Sequence, residues 1–257
     1  FLGSLILGGI ILGIYTGLLG YVGAKTGLSL DLLSQRAFGE KGSYLPSAMT
    51  SFTQIGWFGV GSFVSGGTAT PNFARFAKDG KSGAITTVVA FFIGNSLMFF
   101  FGAVSSIFVG GNDIFEVMVR LNLFYLAVLV LGLNIWTTND NALYTAGLGL
   151  ANIFHQRKKP MVLLSGIIGT VASVWLYYNF CGWLNILNCT LPPVGMILVL
   201  AYFMNKEDFE TDQPKLKTID WFAVAGVILG AIVANLLHWG IASINGMVVA
   251  ADGSDAP

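Results

Sequence analysis

The chain has 257 residues, of which 54% are hydrophobic and only 10% are charged, and its formal net charge is zero. A soluble domain usually carries about 25% charged residues, so this composition excludes an ordinary soluble protein. The sequence also lacks a basic stripe, so we expect no nucleic acid among its partners.

Charged residues are clustered, and the stretches between them are long and apolar. No Lys, Arg, Asp or Glu occurs in residues 42–74, 82–112, 161–205 and 221–251. A membrane-spanning helix needs roughly 20 apolar residues, so these stretches predict an all-α integral membrane protein with several spans. We expect residues 1–257 to form a single membrane domain.

The first predicted elements alternate between apolar spans and charged loops. Residues 1–24 form a glycine-rich span that begins inside an apolar stretch, as a fragment would, and residues 25–41 form an aqueous loop with a short surface helix. Further spans are predicted at 83–109 and 117–139, and the second continues as a helical tail to about Phe154.

The remaining apolar sequence predicts two adjacent spans and a final one. Residues 161–205 are too long for one helix and predict two, divided near Asn179. Pro192 and Pro193 predict that the second of these is kinked or interrupted. Residues 221–240 form the last predicted span, and residues 251–257 form a polar, acidic tail.

The distribution of basic residues predicts that segment 42–74 enters and leaves the membrane on the same side. With that arrangement every basic residue except Arg120 faces the cytoplasm, as the positive-inside rule requires. As one helix the segment would be about 50 Å long, too long for a ~30 Å hydrocarbon core and too short for two crossings. Its glycine-rich middle, residues 56–67, therefore predicts a re-entrant pair of half-helices.

A polar cluster directly follows an apolar run inside the predicted span 117–139. Asn134, Thr137, Thr138 and Asn141 fall at i, i+3, i+4 and i+7, so they share one helix face. A polar face in a membrane is costly unless it meets protein, an ion or a ligand. Hydrogen bonding between helices is one interpretation, but the number of groups favours an ion or solute site.

A second candidate site lies in the re-entrant segment. Gln54 and Trp57 are spaced i, i+3 and share a helix face, and Phe63 and Ser65 follow across the predicted break. Two aromatic rings beside an amide and a hydroxyl suit a flat, hydrogen-bonding solute. Packing of the aromatic rings is the alternative interpretation.

Four motifs resemble one family of transporters. They are GIYTGLLGYVGAKTGL (13–28), TQIGWFGV (53–60), GLNIWTTNDNALY (132–144) and LPPVG (191–195). These motifs resemble the nucleobase–cation symporter family, in particular its bacterial cytosine-transporting branch. The resemblance implies a partial leucine-transporter-like helix bundle with broken or re-entrant helices.

The resemblance also implies which family helices are represented. Residues 1–24 resemble helix 2, residues 43–75 resemble joined halves of helices 3 and 6, and residues 83–240 resemble helices 7 to 11. Other family helices, including helix 1, have no counterpart, and the join lies near Val60-Gly61.

The implied function is sodium-coupled import of a nucleobase, with cytosine as the expected base, across the bacterial inner membrane. The implied mechanism is alternating access in a multi-pass protein within the lipid bilayer, so we expect a transporter and not an enzyme. Sodium is the expected coupling ion and no other cofactor is expected. The alternative is a truncated membrane fragment that does not transport.

The resemblance assigns roles to individual residues. Base contacts are assigned to Gln54, Trp57, Ser62, Phe63, Ser65, Asn134 and Asn139, with Trp57 and Phe63 on either side of the base. Half of the sodium site is assigned to the carbonyl oxygen of Asn134 and the hydroxyl groups of Thr137 and Thr138.

Overall fold

All the regular secondary structure in the residues that the structure, a computed structural model, describes is helical. These are residues 2–60, 70–110, 114–211, 214, 216–237 and 241–254. In chain order the helices are α1 (Leu2–Thr26), α2 (Leu30–Phe38), α3 (Tyr44–Val60), α4 (Pro71–Ala74), α5 (Gly80–Val89), α6 (Asn95–Val109), α7 (Ile114–Arg120), α8 (Phe124–Phe154), α9 (Lys158–Tyr178), α10 (Phe180–Met204), α11 (Lys206–Glu210), α12 (Trp221–Leu236) and α13 (Ala242–Ser254).

Several helices have the length and composition of membrane spans. Among the described residues, three are long and apolar enough to cross a bilayer: Gly80–Val109, Lys158–Leu176 and Phe180–Met204. The first contains α5 and α6 joined by a π-helical turn, Ala90–Gly94. Together with the shorter apolar helices, these spans form the helix bundle of an integral membrane protein.

Helix α10 connects the two parts of the core. On one side, Val194, Leu198 and Tyr202 pack with buried residues of α1, α2, α12 and α13. On the other side, Trp183 and Leu187 pack with residues of α8 and α9. Burying such a side chain from water stabilises a protein by about 1.5–3 kcal/mol. Within a bilayer the surrounding lipid is itself apolar, so close packing between helices provides much of the stabilisation instead.

The predicted division of residues 161–205 is confirmed, and the second helix, predicted to be kinked or interrupted, is not interrupted. A kink at its prolines stays a prediction. Helix α9 ends at Tyr178 and α10 begins at Phe180. Helix α10 then continues through Pro192 and Pro193 to Met204. Each proline removes one backbone donor, but the helical turns on either side supply enough hydrogen bonds for the helix to continue.

Two other helix predictions are corrected by the structure. The span predicted at 117–139 begins later, because α7 ends at Arg120, the chain turns at Asn122 with a φ of 61°, and α8 begins at Phe124. Arg120 pairs with Glu116 at 2.5 Å on the exposed α7, which keeps both charges outside the span. Helix α13 begins at Ala242, between the last predicted span and the predicted tail, and extends into the first residues of that tail. It is short and contains Ser, Asn and Gly, so its pattern does not predict a helix, and it packs against α10 and α12.

Both ends of segment 42–74 lie at the same end of the bundle. The Ser47 hydroxyl donates to Asp31 Oδ1 at 2.6 Å, and the Leu30 amide donates to Asn72 Oδ1 at 2.8 Å. Helix α3 is regular through Val60, so the turn expected from residue 56 onward does not begin there. The rest of that predicted turn lies outside the described residues.

The basic loops meet at one end of the molecule, which we call the basic-loop end. It comprises residues 25–41, 75–81 and 155–160 and the described residues among 206–219. Arg36 donates to the Asp208 carbonyl at 2.7 Å, and the Glu40 amide donates to the Lys217 carbonyl at 2.7 Å. The Arg75 guanidinium bonds the Tyr144 hydroxyl, over whose ring the Lys158 ammonium lies at 3.4 Å.

The orientation of the basic-loop end in the membrane is a testable prediction. We expect a membrane-impermeant thiol reagent added outside cells to miss Lys78→Cys and Gln156→Cys in a Cys181→Ser background, because the positive-inside rule places both in the cytoplasm. The exposed native Cys181, in the first turn of α10, is the positive control and should react from outside. Reaction of Lys78→Cys from outside would contradict the re-entrant arrangement.

Candidate functional site

The candidate site is framed by the antiparallel contact between α3 and α8. The Ser51 hydroxyl of α3 donates to the Ala146 carbonyl of α8 at 3.2 Å, and the Asn152 amide donates to the Ser47 hydroxyl at 2.9 Å. Both helices rise by about 1.5 Å per residue, so the same register continues away from the basic-loop end. It brings Gln54 and Trp57 to the level of residues 140–143 of α8.

The base contacts predicted on α3 are only partly visible. Gln54 is 6% exposed, so its amide lies within the bundle. The backbone of Trp57 belongs to the last turns of α3, while its side chain and the residues Ser62, Phe63 and Ser65 lie outside the described part of the structure. Stacking of a base between Trp57 and Phe63 stays a prediction.

The polar face predicted on α8 is present, and part of it is exposed. Asn134 and Thr137 are exposed, whereas Thr138 and Asn139 are half-buried. The Thr137 hydroxyl donates to the carbonyl oxygens of Leu133 and Asn134, each at 3.1 Å. Two uncharged oxygen atoms from Thr137 and Asn134 therefore lie close enough to contact one small cation, and such oxygens are suitable ligands for hard cations.

Two buried oxygen atoms on α8 have no hydrogen-bond partner among the described residues. They are Asn139 Oδ1 and Thr145 Oγ1. Buried polar atoms in proteins are paired in the large majority of cases, so each of these oxygens is available to a ligand or a water molecule. Asn139 lies next to the level reached by Trp57, which supports its assignment to a solute site.

Trp183 of α10 lies beside this region, and no local pattern in the sequence predicted this position. Its side chain is 2% exposed and lies against Gly56 of α3. A Cβ atom at position 56 would lie 2.2 Å from the indole ring, so only glycine permits this approach. A tryptophan near the end of an apolar span is typically an interfacial anchor, and only the packing of α10 on α3 shows otherwise.

The predicted residues are thus distributed along α3 and α8 at different levels. The α3–α8 register brings Gln54, Trp57 and Asn139 to nearly one level, whereas Thr137 lies level with Val60, where α3 ends. Asn134 lies a further turn along α8. The cation-binding oxygens and the base-binding groups are therefore adjacent but offset along the helix axis.

A family profile and individual relatives both match this chain, and both are permeases. Residues 1–69 and 59–254 match the sequence profile of the family described as "Permease for cytosine/purines, uracil, thiamine, allantoin". The chain is similar to the cytosine permeases of Escherichia coli K12, E. coli O6:H1 strain CFT073 and E. coli O157:H7. Each is 36% identical over 338 positions, which cover 95% of this chain and 80% of the relative.

The alignment also contains stretches that this chain lacks. It extends over 338 positions, more than the 257 residues of the chain, so parts of the relatives have no counterpart here. The two profile matches overlap at residues 59–69, the region that contains Val60-Gly61.

Proposed function

The chain belongs to the family of permeases for cytosine/purines, uracil, thiamine and allantoin, and from this membership we propose that it is a nucleobase permease that imports cytosine. The observation that carries the proposal is the 36% identity to cytosine permeases over 95% of the chain. The proposed location is the bacterial inner membrane, which the apolar helices of the bundle support.

The proposed base site lies between α3 and α8. Gln54 and Asn139 would supply amide groups for the edge of the base, and Trp57 would supply an aromatic face. The unpartnered Asn139 Oδ1 supports this assignment, because an acceptor without a partner suits the exocyclic amino group of cytosine. The buried Trp183 would exclude water from one side of the site.

Sodium is the proposed coupling ion. The carbonyl oxygen of Asn134 and the hydroxyl groups of Thr137 and Thr138 would supply part of its shell, and further oxygen ligands would have to come from other segments. Binding of the ion and the base at adjacent levels of α8 would couple them, and transport would proceed by alternating access.

A second candidate function is that of a membrane fragment that folds without transporting. The alignment positions that have no counterpart in this chain favour it, because segments that are absent cannot contribute ligands or gates. We propose that the segment present in the relatives but absent from this chain would be inserted within residues 59–69.

Uptake of radiolabelled cytosine distinguishes the two functions. Cells without their own cytosine permease would express this chain, with its amount in the membrane measured in parallel. The permease proposal expects uptake above that of untransformed cells and stimulation by sodium. Normal membrane insertion without uptake would support the non-transporting fragment.

We further predict that Thr138→Ala weakens sodium dependence more than base recognition. Loss of an ion ligand lowers base affinity only through the coupling between the two sites, typically ~1–3 kcal/mol. A base-binding titration should therefore show most of the affinity restored at saturating sodium. Thr170→Ala, which removes an exposed hydroxyl of α9 that donates to the Gly166 carbonyl at 2.8 Å, is the control and should leave sodium dependence unchanged. If the affinity of Thr138→Ala is equally poor at low and high sodium, Thr138 is not an ion ligand.

A further inference from the structure

A buried carboxyl group lies at the basic-loop end, remote from the candidate base site. Asp31 belongs to α2, beyond the end of the first span, and is only 6% exposed. Its Oδ1 accepts a hydrogen bond of 2.6 Å from the hydroxyl of Ser47 on α3. A carboxylate removed from water is costly unless it is paired, so burial at this position favours the protonated form of Asp31.

The carboxyl group is part of a network that joins three helices. The Asn152 amide of α8 donates to Ser47 at 2.9 Å and to Ser43 at 3.2 Å. Gln35 of α2 donates to Asn152 Oδ1 at 2.6 Å, which closes the link between α2 and α8. The packing of α2, α3 and α8 at this end therefore depends on neutral hydrogen bonds around one ionisable group.

Arg75 is the charged group that acts on Asp31 from a neighbouring element. It follows α4 and binds the Tyr144 hydroxyl of α8, and its charge favours the ionised form of Asp31. Six other ionisable groups of the surrounding elements have partners elsewhere: Lys25 with Glu210, Arg36 with the Asp208 carbonyl, Tyr44 with His155, Lys158 with the Tyr144 ring, Tyr202 with Glu210, and Lys217 with Asp220.

We propose that Asp31 is a proton-binding site whose occupancy controls how tightly α2, α3 and α8 pack at the basic-loop end. The proposal does not depend on base transport. Burial is the largest influence and raises the pKa of Asp31 from 3.8 to about 6, against the opposing effects of Ser47 and Arg75. The packed state therefore binds the proton more tightly than a hydrated, loosened state does.

The direction of the pH dependence follows from this difference. Because the pKa in the packed state is raised, the stabilisation is fully present below about pH 3.8 and is lost as the pH rises through about 6. Above that pH the buried carboxylate favours states in which water reaches it. From about pH 5 to about pH 7.5, loosening of this end should become roughly tenfold more favourable.

The proton itself can be observed by infrared difference spectroscopy of the purified chain in lipid nanodiscs. We expect the carbonyl band of a protonated, buried carboxyl group to disappear with a midpoint near pH 6 as the pH is raised. Asp31→Asn should remove this band. Asp79→Asn is the matched control, because Asp79 is an exposed helix cap whose bond from the Ser82 amide lowers its pKa. Absence of the band in the wild type, or its survival in Asp31→Asn, would overturn the proposal.

A second pair of variants tests the network without removing the acid. Ser47→Ala deletes the hydroxyl that stabilises the carboxylate, so the midpoint should move to higher pH. Ser34→Ala deletes a buried hydroxyl on α2 that donates to the Leu30 carbonyl, and should leave the midpoint unchanged. An unchanged midpoint in Ser47→Ala would show that the titrating group is not Asp31 in this network.

Hydrogen exchange of the α2 amides tests the link to packing. After correction for the chemical pH dependence, the ratio of exchange rates between wild type and Asp31→Asn should rise about tenfold from about pH 5 to about pH 7.5. A ratio that is equal at both pH values would show that the proton does not control packing.

Discussion

Trp57→Ala and Asn134→Ala are each expected to weaken cytosine binding by roughly 10-fold to 100-fold, or to abolish it. Removing an aromatic ring that stacks on a base costs about 1–3 kcal/mol in proteins that bind single-stranded nucleic acids. Asn134 is exposed, so a bound base would itself have to bury the amide, and losing one partner of such a pair then costs a similar ~1–3 kcal/mol. The measurement is equilibrium binding of radiolabelled cytosine to the purified chain.

The controls are variants of the same residue types away from the site. Trp175→Ala removes an exposed indole from α9, and Asn179→Ala removes an exposed amide after α9. Both should bind cytosine as the wild type does.

The helix register also separates Asn134 from the level of Trp57 by about 9 Å along α8. A loss in Trp57→Ala alone would therefore remove Asn134 from the base site and leave it to the cation.

Gly39→Ala is expected to destabilise the protein by at least about 2 kcal/mol. Gly39 ends α2 with φ 84° and ψ 171°, a conformation that is essentially confined to glycine and costs other residues about 1–3 kcal/mol. A Cβ atom there would also lie 2.5 Å from the backbone oxygen of Lys217. That oxygen accepts the Glu40 amide at 2.7 Å, so the added methyl group would separate two loops of the basic-loop end.

The stability change can be measured as the midpoint of thermal aggregation of the detergent-solubilised chain. Gly27→Ala is the matched control, because Gly27 has a φ of 68° but no atom within 4 Å of a Cβ at that position. It should carry only the cost of a left-handed residue, about 1 kcal/mol. Equal midpoints for the two variants would contradict the proposed clash at Gly39.

Much of the bundle and part of the site were predictable from local properties of the sequence. The length of apolar stretches and the clustering of charge predict the spans, and the division at Asn179 follows from the limited thickness of a bilayer. The spacing of Asn134, Thr137 and Thr138 predicts the polar face of α8, because a helix has a fixed period. These features depend only on neighbours along the chain.

Contacts between distant segments decided the features that the sequence left open. The burial of Asp31 and the position of Trp183 against Gly56 depend on how α2, α10 and α3 pack, and neither residue has a distinctive local pattern. Helix α13 likewise forms where α10 and α12 offer a surface. From the local sequence alone, a carboxyl group in a loop and a tryptophan near the end of a span are both expected to contact water. Only the tertiary structure removes them from water, and that desolvation gives Asp31 its affinity for a proton.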